Sequence, residues 1–483
     1  VAPVSEHGTF SEPAPEWTTE EGPGGSTSAA VLLASVAAIG GFLFGYDTAV
    51  INGAVAAIRD TYGASALALG LTVSSALIGS AVGALSSGRL ADRYGRLLAM
   101  RVAALLFLVS AVGSALAWSL GSLAAFRVVG GIAVGIASVI APAYIAEIAP
   151  ARMRGRLGSL QQLAIVSGIF LALLVDYAIA ATAGGTRKEL ALGLEAWRWM
   201  FLVMAVPAVV YALLSLSIPE SPRYLVAKAR YDEARRVLRR LLGERGLDRK
   251  VALIRETLVR ETVPSMRDLR GPALGLLPIV WIGIGLSVFQ QFVGINVIFY
   301  YSSVLWQAVG FSEQNSLLIT VITSVVNIVS TVIAIVLVDR IGRRPLLLIG
   351  SAGMAVTLGT LAYLFANAPL DARGDPVLEG SAGPIALVAA NLYVVAFAMS
   401  WGPVVWVLLG ETFSNRIRAA ALSLAASAQW IANWVVSTSF PTLAAAGLGL
   451  AYGIYTTAAV LSFVFVWRYV RETKGRELED MSH

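Results

Sequence analysis

At 483 residues, 57% of them hydrophobic and only 14% charged, the chain falls far below the roughly one-quarter charged content of soluble domains, which excludes a water-soluble enzyme or binding module. Its formal charge of +6 gathers in short loops between apolar runs, so it marks membrane topology and gives no case for nucleic acid. There is no cysteine, and the two histidines, His7 and His483, lie in the tails; this excludes disulfides, thiolate metal sites and a histidine proton carrier within the membrane.

Residues 1–28 are polar, acidic and rich in Pro, Gly, Ser and Thr, the composition of a disordered tail. They lack the basic start and short apolar core of a cleaved signal. Twelve apolar stretches follow, at 29–54, 66–88, 98–119, 121–145, 158–181 and 198–218, then 273–308, 315–338, 345–366, 383–410, 418–443 and 448–468. Each holds about 20 residues or more, enough to cross ~30 Å of hydrocarbon as a helix. The first six make a bundle over 29–218 and the last six a bundle over 273–468, with a linker at 219–272 and a tail at 469–483. Loops on one side carry Arg89, Arg93, Arg96, Arg101, the arginines of 152–156, a dense run from Arg223 to Arg270, and Arg340, Arg343, Arg344, Arg416 and Arg418. The other side offers Arg59, Arg187, Lys188 and Arg373. Basic loops stay cytoplasmic, so both termini are expected in the cytoplasm. Heavy use of arginine and alanine leans towards a GC-rich bacterial genome and hence a bacterial cell membrane.

Asp47 stands within the first span, in GGFLFGYDTAVINGA, and Arg127 near the start of the fourth. An ionisable group in a bilayer costs at least ~2.5 kcal/mol on insertion scales, which makes each a functional candidate by default. Opposite in sign, the two form a candidate proton-coupling pair. Gly41, Gly45, Gly131 and Gly135 are expected to let their helices pack closely. Burial favours the neutral acid and a neighbouring arginine favours the carboxylate, so protonation of Asp47 is expected to free Arg127. After the second span comes Gly88-Arg89-Leu90-Ala91-Asp92-Arg93-Tyr94-Gly95-Arg96; after the fourth, Glu147 precedes Arg154 by seven residues, with Arg156 beyond it. The fifth span holds Gln161 and Gln162, with Ile165 and Ile169 one turn apart below Gln162; Pro219-Glu220-Ser221-Pro222-Arg223 closes the half.

In the linker, Tyr231, Ala234, Val237, Leu238, Leu241 and Leu242 recur at helical spacing opposite Arg235, Arg236, Arg239 and Arg240, and Val251, Ile254 and Leu258 form a second stripe. Short cytoplasmic helices bridging the halves are expected, because such a stripe needs a partner to bury it. The seventh span holds Gln290, Gln291 and Asn296, which cannot share one narrow helical stripe; Gly294 is expected to unwind the helix between them. Phe299, Tyr300 and Tyr301 follow as outer-gate candidates, and Asn327 lies in the eighth span. In the tenth, Pro403 leaves a carbonyl unpaired ahead of Trp406, while Trp401 reads as an interfacial anchor. Gln429, Trp430 and Asn433 lie in the eleventh. The Asp-Arg loop returns as Asp339-Arg340-Ile341-Gly342-Arg343-Arg344, the Glu–Arg spacing as Glu411 and Arg418, and the closing motif as Glu472-Thr473-Lys474-Gly475-Arg476. Three matched elements imply a duplicated six-helix unit with a substrate site between its halves.

The stretch Gly88 to Arg96 resembles the loop signature of the major facilitator superfamily. PESPR at 219–223, QQFVGINVIFYY at 290–301, DRIGRR at 339–344, WGPVVW at 401–406 and ETKGR at 472–476 resemble the sugar porter family within it. The resemblance implies an all-α membrane protein, with twelve transmembrane helices in two pseudo-symmetric six-helix bundles and short cytoplasmic helices between them. It implies a proton-coupled monosaccharide symporter that works by alternating access as a monomer in the lipid bilayer, with no enzymatic activity, cofactor or metal. Carboxamides suit sugar hydroxyls because both donate and accept. Gln162, Gln290, Gln291, Asn296 and Asn327 are the expected hydroxyl partners, joined by Gln429 and Asn433, with Trp406 and Trp430 as stacking surfaces. Asp47 and Arg127 fall where proton-coupled members carry an aspartate and an arginine. Asp92, Arg93, Glu147, Arg154, Arg156, Asp339, Arg340, Glu411 and Arg418 are expected to pair across the halves as the inner gate, opposite Tyr300 and Tyr301. Xylose-selective relatives carry a polar residue matching Ile169 and a smaller one matching Phe299, so these two positions, beside Ile165, favour a hexose and first D-glucose. Facilitative uniport, pentose symport and drug/proton antiport stay open; PESPR and the QQ…N cluster weigh against the last.

Overall fold

The computed structural model describes residues 27–150, 154–243, 246–260, 266–369, 376–413 and 417–472, so nearly all of the expected N-terminal tail and the end of the C-terminal one lie outside the described residues. The first apolar run forms two helices end to end, α1 (Thr27–Ala49) and α2 (Ile51–Tyr62), and so continues past its expected end. It breaks at Val50, just after Thr48 turns its hydroxyl back onto the carbonyls of Phe44 and Gly45 at 2.9 and 3.0 Å; such back-bonding bends helices. The next four spans are α3 (Ala66–Tyr94), α4 (Arg96–Ala115), α5 (Leu120–Ile148) and α6 (Arg154–Ala183). A small hairpin precedes the sixth, β1 (Glu189–Ala191) against β2 (Leu194–Glu195). The sixth span is itself split into α7 (Ala196–Val203) and α8 (Ala205–Ser217), where Pro207 has no N–H for the carbonyl four residues back.

The linker contains α9 (Pro222–Ala227), α10 (Tyr231–Leu242) and α11 (Leu247–Arg260), then a single 3-10 turn at Met266–Leu269. Ala234, Val237, Leu238, Leu241 and Val251 are buried, so the apolar stripes do find partners. The three helices pack on one another, α10 also on α1 and α9 also on α5 of the first bundle, while the 3-10 turn packs on α18 of the second.

The second half comprises α12 (Pro278–Phe292), α13 (Ile295–Ala308), α14 (Glu313–Ile341), α15 (Arg343–Ala366), α16 (Ala382–Ala398), α17 (Trp401–Thr412), α18 (Arg418–Ala446) and α19 (Leu448–Tyr469). The seventh span breaks at Gly294 (φ 83°), as its sequence requires, and the tenth breaks at Ser400, ahead of Pro403. Eleven spans among the described residues have the length and composition to cross a membrane. The 29-residue α18 is the twelfth, its apolar run interrupted by Gln429, Asn433, Ser437 and Thr438.

Glycines set the closest crossings. A Cβ on Gly131 would overlap the carbonyl of Ala76, and one on Gly45 the carbonyl of Ile165. The four glycines expected to bring the first and fourth spans together therefore serve other pairs: Gly41 and Gly45 admit α6, and Gly131 and Gly135 admit α3. The bundles meet where α3 packs on α18, α6 on α14 and α2 on α13. Gly95 (φ 100°, ψ 163°) and Gly342 (φ 102°, ψ 162°) make the same turn in the two halves. Both lie on the face of the arginine-rich loops, the basic face; the opposite one is the far face.

Candidate functional site

Asp47 is completely buried at the end of α1 and Arg127 is 2% exposed on α5. The guanidinium lies 3.4 Å from Asp47 Oδ2, but its hydrogen bond, at 2.8 Å, goes to the backbone carbonyl of Asp47. Neither carboxylate oxygen accepts a hydrogen bond from the described residues. The guanidinium carbon also stands 6.0 Å over the ring of Phe201. A Cβ at Gly130 would come within 2.9 Å of Asp47 Oδ1, so this glycine makes room for the carboxylate. The pair is held by charge with little directional bonding, a contact that loses its main term when the acid is neutral.

On the facing bundle, the break at Gly294 brings three amides into one chain. Asn296 donates to Gln291 at 2.6 Å, Gln291 to Gln290 at 3.5 Å, and Gln290 to the carbonyls of Trp401 and Gly402 at 2.7 and 3.2 Å. Tyr393 fixes the break by donating to the carbonyl of Val293 at 2.7 Å. Asn433 accepts from Ser437 at 3.1 Å, and the phenol of Tyr300 is buried within electrostatic reach of Asp47 and Arg127.

Other expected residues lie around these two groups. Gln162, Ile165 and Ile169 are half-buried on α6, whereas Gln161 is more deeply buried against Gly41 with both amide atoms unpartnered among the described residues. Asn327 is buried on α14, and Gln429 is half-buried with its Oε1 unpartnered among the described residues. Trp430 faces Phe44 of the other bundle at 6.3 Å between ring centroids. Trp406 is 45% exposed. Trp401 is no interfacial anchor: it is fully buried and donates its indole N–H to Ser351 at 2.9 Å.

At the basic face Arg96, Asp92 and Glu147 pair with one another and with the start of the linker. Arg96 holds Glu147 in a two-pronged bridge (3.1 and 2.9 Å) and reaches Asp92 at 3.2 Å; Arg223 is 4.0 Å from Glu147, which also takes a short bond from Ser221. Arg93 stacks on Tyr94. The pairing expected across the halves is not formed by these described side chains, because Glu147 and Asp92 both close on Arg96. The side chains of Arg154, Arg156, Asp339, Glu411 and Arg418 lie outside the described residues, and Arg340 is exposed. Glu220 accepts the N–H groups of Arg96 and Leu97 at 3.0 and 3.2 Å, and Glu472 those of Arg343 and Arg344 at 3.0 Å each. Each carboxylate caps the first turn of a span, where unpaired donors and the helix dipole favour an anion.

At the far face the bundles are closed on each other. Asn52 of α2 donates to the carbonyls of Phe299 and Ile298 at 3.1 and 3.4 Å and accepts from Ser303 N at 3.1 Å, while its own carbonyl accepts from Ser303 Oγ at 2.5 Å. Ser74 of α3 and Thr438 of α18 share a 2.7 Å hydrogen bond across the bundles, while within the second bundle Tyr301 donates to the carbonyl of Ser437 at 2.8 Å.

The profile of the sugar (and other) transporter family matches residues 33–483. The chain belongs to the sugar porter family of the major facilitator superfamily. It is 56% identical over 453 residues to the glucose transport protein of Synechocystis sp., covering 93% of this chain and 96% of that one. It is 39% identical over 482 residues to the D-xylose-proton symporter of Escherichia coli, covering 92% and 94%. The Escherichia coli xylose transporter in a partially occluded inward-open conformation superposes with a TM-score of 0.79 at 37% identity, over 93% of this porter and all of that chain.

Five further residues of the porter stand out in the structure. Arg96 lies in the loop motif that recurs in the second half, and Glu220 and Glu472 are the acids repeated at the end of each half. Asp176, in LALLVDYAIA, meets the same criterion of an ionisable group within a span that selects Asp47. Asn52 had no local signal, because its partners are 246 to 251 residues away.

Proposed function

We propose that this porter is a proton-coupled hexose symporter, D-glucose being its first substrate, set in a bacterial cell membrane with its basic face to the cytoplasm. The observation that carries the reading is the pair of site halves itself: an uncharged amide chain at the helix break of the second bundle and a buried acid–base pair on the first. Sugar hydroxyls enter the amide chain between Asn296 and Gln291, each of which keeps one N–H free of the chain's own bonds, with Gln162 and Asn327 facing from α6 and α14. Trp430, Trp406 and Phe299 offer apolar surface for the C–H face of the ring. A proton on Asp47 removes the charge that holds Arg127, and the loaded bundles rock about the site. The hexose preference is supported by the likeness to the cyanobacterial glucose transport protein and by the apolar Ile169 and Phe299. Arg96, Glu147 and Asp92, with their second-half counterparts, form the inner gate, and Tyr300 and Tyr301 belong to the outer one.

The test is uptake of labelled D-glucose into proteoliposomes under an imposed inward proton gradient, with a panel of competing sugars and a protonophore. Accumulation that the protonophore abolishes, and that glucose competes better than xylose, is the expected result. Equilibration without accumulation would make the porter a uniporter, and silence towards every monosaccharide would overturn the sugar assignment.

A further inference from the structure

A second acid lies inside the membrane with no cation against it among the described residues. Asp176 of α6 has no exposed surface. Its Oδ2 accepts the backbone N–H of Gly53 at 3.1 Å, and its Oδ1 has no hydrogen-bond partner among the described residues. A Cβ on Gly53 would stand 2.6 Å from the carboxyl, so the absence of a side chain there lets the carboxyl of α6 reach the backbone of α2. Gly53 directly follows Asn52, the residue that fastens α2 to α13 across the far face. By helical rise the carboxyl sits about 10 Å below the far end of α6.

The charged groups on the elements packed against α6 are engaged elsewhere. Asp47 of α1 and Arg127 of α5 face each other; Arg59 and Asp60 of α2 are bonded at 3.1 Å; Glu147 of α5 is held by Arg96 at the basic face. Arg198 of α7 donates to the carbonyls of Ala115 and Ala117, Glu189 of β1 accepts from Gly193, and Glu313 of α14 accepts from Thr186. On α14, Asp339 and Arg340 stand at the basic end, a membrane's depth away. The titratable group in the field of Asp176 is the phenol of Tyr46, whose hydroxyl donates to the carbonyl of Met200 at 3.4 Å.

We propose that Asp176 is a second proton-binding site, filled from the far-side medium as α2 closes on α13 and emptied to the same side as they part. Closing the far face around an unpaired anion would leave it one backbone donor in a dry interior, whereas the neutral acid leaves only one hydroxyl unpaired, a smaller penalty. The step forms one O–H bond on the carboxylate from a medium proton and breaks it on reopening, so this proton does not cross the membrane. Far-side acidity then speeds closure over the loaded site, separately from the proton carried at Asp47. The proposal rests on the symport reading for its assay.

The experiment compares the unmodified porter with Asp176→Asn, which keeps an acceptor for the N–H of Gly53, in proteoliposomes, and measures glucose counterflow as far-side pH is moved from mildly alkaline to mildly acidic. Counterflow is expected to rise with acidity more steeply in the unmodified porter than in Asp176→Asn, whose remaining dependence belongs to Asp47. Identical profiles overturn the proposal; absence of glucose counterflow in the unmodified porter overturns the sugar reading instead. Should Asp176→Asn fail to fold, the infrared spectrum of the Asp47→Asn protein in lipid at neutral pH decides: a protonated-carboxyl band shielded from solvent exchange is expected, and its absence ends the proposal.

Discussion

Asp47 and Arg127 stand 3.4 Å apart with the stronger directional bond going to a backbone carbonyl, so the charge on Asp47 is the term a proton removes. Asp47→Asn should therefore abolish accumulation driven by a pH gradient while leaving glucose exchange across equal concentrations, read by uptake and counterflow on the same vesicles. At Gln291 the prediction is different in kind. Gln291 is the middle link of the amide chain, and Gln291→Ala removes two bonds of about 0.5–1.5 kcal/mol each. Apparent glucose affinity should fall by about one to two orders of magnitude in competition assays, with proton coupling of the residual flux retained. Both residues were readable from sequence for one reason: a polar group in hydrocarbon is costly enough to need an explanation. The same argument reaches Asp176, but it does not reach Trp401, whose burial depends on Ser351 and Leu347 of another helix.

The elements carry their signals unevenly. The break between α12 and α13 is written into Gly294 itself, which holds a φ of 83° and would place a Cβ 2.8 Å from the ring of Tyr455. Gly294→Ala should destabilise the porter by more than about 1 kcal/mol and misalign the amide chain, read as a lower melting temperature in detergent together with lost glucose binding. The break before α17 follows equally from Pro403. By contrast the bend at Val50 depends on a hydroxyl turned back on its own helix, a choice that Thr48 does not announce. The caps at α4 and α15 depend on acids more than a hundred residues away in the chain. Glu220→Gln keeps an acceptor but loses the charge facing two helix N–H groups, so the start of α4 should loosen; faster amide exchange at Arg96 and Leu97 is the expected readout.

At the scale of the whole molecule, twelve spans, the duplication and the basic face follow from composition and motif spacing, since each is a repeat that the chain displays locally. Which face is shut is not displayed locally at all. It depends on contacts such as Asn52 with α13 and Ser74 with Thr438, which join residues 246 or more positions apart. The closed far face is a balance of few bonds, and Asn52 supplies three through its side chain. At about 0.5–1.5 kcal/mol each, their loss is worth tenfold or more in the equilibrium between far-closed and far-open carriers. The chain has no cysteine, so a single Ser74→Cys reports that equilibrium without background. Ser74 is fully buried between α3 and α18 when the far face is shut. Adding Asn52→Ala should raise its modification by a membrane-impermeant maleimide from the far side about tenfold or more, and saturating glucose should change the rate in both backgrounds. An unchanged rate with Asn52→Ala would mean that the far face is held by the α3–α18 contact, with Asn52 contributing little to the balance.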